Sequence, residues 1–157
     1  MYKALIIANE FPPMGGAGVQ RTTKFVKYLR NFGIEPVVVT KKQKGGLIDE
    51  TLLSDIPDGV KIYRLEAYDI VNRTGIMKLP MKFMGTRIMS PDSEYFWYLF
   101  NRKRVEAIIR NEAIDIIYST SFPYSSHLLG LYLKKTFPKI PWICDFRDEW
   151  TNNPYHL

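Results

Sequence analysis

Two residue types that build metal and disulfide sites are nearly missing from this chain. Its 157 residues include one cysteine, Cys144, and two histidines, His127 and His156. One thiol excludes an intramolecular disulfide and a multi-thiolate zinc site, and points to a reducing compartment. Two histidines so far apart make no metal site with it, so no metal is expected. No run approaches the ~18 apolar residues of a membrane span, and the N-terminus lacks a leader cleavage pattern. The sequence also has no internal repeat and no low-complexity tract. With 46% hydrophobic and 24% charged residues the composition is that of one folded domain. A chain of this size buries roughly 68–70% of its extended surface and needs no staple. The net charge of +6 fits an anionic partner, whether nucleic acid, phosphorylated substrate or acidic lipid. Nucleic acid is set aside, because no helix-turn-helix, RRM or KH signature accompanies the charge.

What the chain does contain is an alternation of strand and helix signals. Lys3–Asn9 is a short apolar run of the type buried on both faces of a parallel sheet. After the loop Glu10–Gly18, apolar spacing predicts a helix over Val19–Phe32, with Gly33 as its C-cap. Glu35–Thr40 is a second strand, so the opening is a right-handed βαβ unit. Val60–Leu65 is a third strand, entered through the Pro57-Asp58-Gly59 turn. The periodicity fails from Glu66 to Ser90. A helix capped by Ser90, with Pro91 at its first position, is expected to run to about Asn111. It would bury Trp97, Phe100, Val105, Ile108 and Ile109. Asp115–Ser119 is a fourth strand, a helix opened by Ser121 and Pro123 reaches about Thr136, and Trp142–Asp145 is a fifth strand. This order predicts a Rossmann-like, doubly wound, mainly parallel α/β sheet, which binds ligands beyond the carboxyl ends of its strands. The glycine loop, the stretch Ser119–His127 and the stretch Asp145–Trp150 all fall at those ends. The chain stops soon after strand five, where such a half normally continues, so a longer protein is expected.

Gly15-Gly16-Ala17-Gly18 lies between a strand and a helix, which presents backbone N–H groups to an anion. A dinucleotide fingerprint would place its third glycine at position 21, where Arg21 stands. Strand two ends in Thr40-Lys41-Lys42 with no acid for a ribose hydroxyl, although the lysines suit a 2′-phosphate. An NAD(P)-binding oxidoreductase domain is therefore kept as an alternative, beside a non-catalytic module that binds an anion or a membrane.

Three segments, taken in order, resemble the N-terminal domain of retaining GT-B glycosyltransferases of the GT4 family. They are Asn9–Arg21 (NEFPPMGGAGVQR), Ser119–His127 (STSFPYSSH) and Pro141–Trp150 (PWICDFRDEW). The resemblance implies two Rossmann-like domains with the active site between them. Residues 1–157 would be the acceptor-side domain, and the nucleotide-sugar domain would be absent, leaving this chain inactive alone. By the same resemblance Gly15, Gly16, Gly18 and Arg21 lie near the donor diphosphate or an acceptor anion. His127 hydrogen-bonds the donor sugar near its anomeric carbon, and Asp148 joins it as a catalytic candidate. Asp145, Arg147, Glu149 and Trp150 face the acceptor. The implied partners are a nucleotide sugar and a glycan or lipid-linked acceptor in cell-surface polysaccharide assembly, with no cofactor besides that donor.

Residues 71–89 carry Arg73, Lys78, Lys82 and Arg87 without an acid, and four of the six methionines. A basic amphipathic stretch of this kind rests on anionic membranes; its alternative is a loop packed by methionine. The expected location is the cytoplasm, peripheral on the inner face of the cytoplasmic membrane if that segment docks.

Overall fold

In a computed structural model, residues 1–42, 45–66 and 92–147 are described. Five strands form one parallel sheet in the order β3-β2-β1-β4-β5. They are β1 (Tyr2–Ile7), β2 (Ile34–Lys41), β3 (Lys61–Leu65), β4 (Ile116–Thr120) and β5 (Trp142–Asp145). The helices are α1 (Ala17–Tyr28), α2 (Tyr95–Glu112) and α3 (Ser125–Thr136). The predicted Rossmann-like α/β class is the observed one, and all strand pairs among the described residues are parallel.

The apolar β1 run is central because both its faces are covered. Leu5 and Ile7 join Val37, Val39, Ile117, Leu129 and Leu133 in the core under α2 and α3. Ala4 and Ile6 join Val38 and Val26 in the core under α1. Each of the Leu, Ile and Val side chains among them, fully buried, contributes about 1.5–3 kcal/mol. Strand order reverses at β1, whose neighbours β2 and β4 are reached by opposite crossovers. The C-terminal ends of β1 and β4 therefore diverge at a topological switch point, where ligands of open α/β sheets bind.

Several boundaries differ from the sequence reading. α1 starts at Ala17, and its last turn tightens into a 3-10 segment, Leu29–Phe32, closed by Gly33 at φ +74°. In α2, Trp97, Val105, Ile108 and Ile109 are buried as expected, but Phe100 is 46% exposed. Asn101 takes the inward position instead, donating from Nδ2 to the carbonyls of Trp97 at 2.9 Å and Glu66 at 3.1 Å. The Ser90–Pro91 cap lies outside the described residues. Ser121 does not cap α3, which begins four residues later. Asp92 does so from a distant part of the chain, accepting from the Ser125 amide at 2.9 Å and its hydroxyl at 2.7 Å.

Candidate functional site

The loop after β1 is held by its neighbours before any ligand is considered. Met14 bridges Ile48, the Gly15 amide donates to the Leu47 carbonyl at 2.9 Å, and the Asp49 amide donates to Pro13 at 2.8 Å. The Gly15 amide is thus already engaged. Gly16 is the N-cap of α1 at φ +118°, a conformation that side chains rarely adopt. The N-cap side makes no side-chain cap hydrogen bond and no acid occupies the first turn, so among the described residues nothing offsets the positive end of α1. Gly18 is glycine for a different reason. A β-carbon there would sit 2.6 Å from a terminal nitrogen of Arg147, whose guanidinium lies against the start of α1. Arg147 is held in turn by Ser121: its Nε donates to the Ser121 carbonyl, and its amide to the Ser121 hydroxyl at 3.3 Å.

Asp145, the last residue of β5, is a structural hub. One carboxylate oxygen accepts from Arg21 at 3.0 Å; the other accepts from Tyr118 Oη at 2.6 Å and Thr120 Oγ1 at 3.1 Å. Burial and this carboxylate hold the Tyr118 phenol far above its ordinary range. The Asp145 side chain is 15% exposed and that of Arg21 48%. We expect Asp145→Ala to cost ~2 kcal/mol, through hydrogen bonds to a charged acceptor. Arg21→Ala should cost below ~1 kcal/mol, as half-exposed ion pairs do. Urea denaturation of both variants would show this order; equal losses would remove Asp145 from the hub role. A groove of about 380 Å³ runs between α1 and the sheet, lined by Phe25, Ile116, Tyr118 and Ile143 together with the Arg21–Asp145 pair.

His127, in the first turn of α3, is 5% exposed. Its Nδ1 lies 2.9 Å from Ser119 Oγ and 3.1 Å from Cys144 Sγ, and the ring of Phe146 packs on it at 4.3 Å. Ser119 also accepts from Trp142 Nε1 at 2.8 Å. Burial pulls the His127 pKa down to about 4, only partly opposed by Asp145, so the ring is neutral at pH 7. Burial likewise pushes the Cys144 thiol up, which keeps it protonated. Among the described residues the His127 Nε2 is buried and unpartnered, as are Asn9 Oδ1, two residues past β1, and Ser126 Oγ beside it in α3. Buried polar atoms normally find partners, so such atoms at a switch point mark a place for a ligand's polar groups.

Trp142 is supported from behind by Gly130. A β-carbon at position 130 would meet the indole at 2.5–2.9 Å. Gly130→Ala gains ~1 kcal/mol of helix propensity. Overpacking against the ring costs ~1–3 kcal/mol and also strains the bond to Ser119. The expected net is a loss of ~1 kcal/mol, and a variant as stable as the parent in thermal melts would contradict this packing.

The structure therefore brings Gly16, Gly18, Arg21, Asp145 and Arg147 together and sets His127 behind the neighbouring strand end. Asp148, Glu149, Trp150 and residues 71–89 lie outside the described residues. Ser119, Trp142, Asn9 and Ser126 carry no signal of their own in the sequence; for Ser119 and Trp142 it is the β4–β5 register, with Ser119 opposite Cys144, that puts them in reach of each other. Among the described residues no group of three or more His, Cys, Asp or Glu side chains could hold a metal ion. No helix among them is long and apolar enough to cross a membrane.

No protein-family model matches the chain and no curated protein matches its sequence. Among solved structures it is similar to the crystal structure of a glycosyltransferase from Rickettsia africae ESF-5. The match has 18% identity and a TM-score of 0.53, covering 98% of this chain and 32% of that chain. At that identity the likeness is one of fold, and this chain spans about a third of the other protein's length.

Proposed function

We propose that this chain is the acceptor-side domain of a retaining GT-B glycosyltransferase, of the GT4 type, that moves a sugar from a nucleotide-sugar donor to a polysaccharide or lipid-linked acceptor. The observation that carries the reading is the neutral, buried His127 with an unpartnered Nε2 at the C-terminal edge of the sheet. Beside it stand the uncapped start of α1 and the Arg147 guanidinium. The fold shared with a glycosyltransferase supports the same reading.

In this reading a donor phosphate sits against the α1 amides of Ala17 and Gly18 and the positive charge of Arg147, where helix polarity and cation act together. His127 contributes a hydrogen bond to an oxygen of the transferred sugar without introducing a charge. The leaving phosphate assists deprotonation of the acceptor hydroxyl, and positive charge around it stabilises the anion that forms as the glycosidic bond to phosphate breaks. Asp145 orders the wall of the site through Arg21, Tyr118 and Thr120. Asp148 is proposed as the catalytic carboxylate partner of His127, and Glu149 and Trp150 as acceptor contacts. Donor selection would belong to a second domain.

The test is to express the full product of the reading frame and assay it against UDP-, GDP- and dTDP-sugars with lipid-linked and glycan acceptors. Acceptor-dependent nucleotide release from one of them is the expected result, with none from residues 1–157 alone. No release from any donor would contradict the reading.

A further inference from the structure

We propose that Ser119 and Trp142 are positioning residues that fix His127 as the Nε2–H tautomer, so that its unpartnered nitrogen is a hydrogen-bond donor to a ligand oxygen. One group in the cluster has its role fixed by chemistry. The indole Nε1–H of Trp142 can only donate, and it lies 2.8 Å from Ser119 Oγ. The Ser119 hydroxyl, fully buried, is then an acceptor on one side and has a single hydrogen to place on the other. His127 Nδ1 is 2.9 Å away. A neutral imidazole carries one proton, so the two arrangements can be compared directly.

If that proton were on Nδ1, Ser119 Oγ would receive two N–H groups. Its own hydrogen would be left with the sulfur of Cys144, a weak acceptor, and Nε2 would be a bare acceptor sealed from solvent. If Nδ1 is bare, the hydrogens inside the cluster both have a place, Trp142 N–H on the Ser119 oxygen and Ser119 O–H on His127 Nδ1, and only the Nε2–H is left for a ligand. The Cys144 thiol, 3.1 Å from the same nitrogen, is a second hydrogen-bearing group facing it. Both neighbours of Nδ1 thus carry hydrogens, and the imidazole proton goes to Nε2. Chains of this kind polarise in one direction, each donation strengthening the next. The relay spans β4, β5 and α3, and the Phe146 ring against the imidazole leaves little freedom to turn it over.

The consequence for chemistry is a choice of ligand atom. An Nε2–H binds an oxygen, either a sugar hydroxyl or a phosphoryl oxygen, and does not accept a proton from one. This functional part rests on the proposed transferase reading; the tautomer itself does not.

The experiment separates the two. The 157-residue chain is labelled with 15N-histidine, and the ring nitrogens are recorded at neutral pH, with His127→Gln used to distinguish His127 from His156. The expected spectrum shows Nε2 of pyrrole type and Nδ1 of pyridine type, shifted by an accepted hydrogen bond. In Ser119→Ala the Nδ1 resonance should move to the position of an unbonded nitrogen, and the Trp142 N–H should lose protection from exchange. Trp142→Phe, which keeps the ring and drops the donor, should move Nδ1 in the same direction by less, and Ser119→Cys should restore part of the shift. A pyrrole-type Nδ1 in the parent chain, or Nδ1 unmoved in Ser119→Ala, would overturn the assignment. In the longer polypeptide, Ser119→Ala should lower kcat about fivefold with KM little changed, the size of one hydrogen bond. The expected tautomer with unaltered kcat would leave the relay standing and count against the transferase role of Nε2.

Discussion

If the proposed transferase reading holds, replacing His127 by Ala in the active enzyme should lower turnover by a factor of at least ~10², the usual effect of removing a hydrogen bond made in the transition state. The imidazole is neutral, almost fully buried and tied to the sheet at Nδ1, so its other nitrogen is presented without a desolvation cost at the moment of reaction. A merely structural His127 would behave differently. Its loss would lower the melting temperature, while kcat measured well below that temperature would stay at the parent value. His127→Gln helps to separate the two cases, because it retains a polar amide in the same space. A kcat for His127→Ala equal to that of the parent would remove the residue from the chemistry.

Acid should destabilise the domain through the same side chain. His127 has a folded pKa of about 4 against 6.5 in the open chain. Between those values the unfolded state binds more protons than the folded one, so stability rises with pH there. The contribution is fully present above pH 6.5 and is lost as pH falls toward 4. The difference corresponds to ~3 kcal/mol, or a fall in melting temperature of roughly 6–12 °C for a domain of this size. Carboxylates such as Glu106, whose pKa is lowered to about 2 chiefly by Lys103 and Arg110, lose their favourable partners mainly below this window. A His127→Gln variant should therefore have a flatter stability profile between pH 6.5 and 4, and an unchanged slope would place the acid sensitivity elsewhere.

Strand positions were legible because each is a compact apolar run, and the parallel class followed from the alternation of strand and helix. In β1 Leu5 and Ile7 face one side and Ala4 and Ile6 the other, so an apolar run buried on both faces is what a central strand requires. What could not be read locally was every feature made by residues far apart. Asp92 does serve the start of its own helix, accepting from the Glu94 amide at 2.9 Å, but the same carboxylate also caps α3, which no local pattern announces. Phe100 looks like a core residue next to Trp97, but the inward stripe runs through Asn101, whose amide nitrogen finds two carbonyls. Asp145 is legible from sequence as the end of the fifth strand, but its partners there, Arg21, Tyr118 and Thr120, are not. The glycine run was visible, but not its division of labour. Gly15 packs on Leu47 and Asp49, Gly16 turns the chain, and Gly18 admits Arg147. His127 stood out as a rare residue at a strand-to-helix turn, whereas Ser119 and Trp142 gave no signal until β4 and β5 were laid side by side.

In the proposed function, the C-terminal edge of the sheet, between the start of α1 and the β4–β5 loops, receives the phosphate of a ligand. A 1H–15N titration of the labelled chain with inorganic pyrophosphate, standing in for the donor diphosphate, measures this. The largest shifts should fall on the amides of Gly16, Ala17 and Gly18 and on the side chain of Arg147, and Arg147→Ala should abolish them. Shifts centred on the basic face of α2 at Lys103 and Arg104, with the α1 amides unmoved, would contradict it.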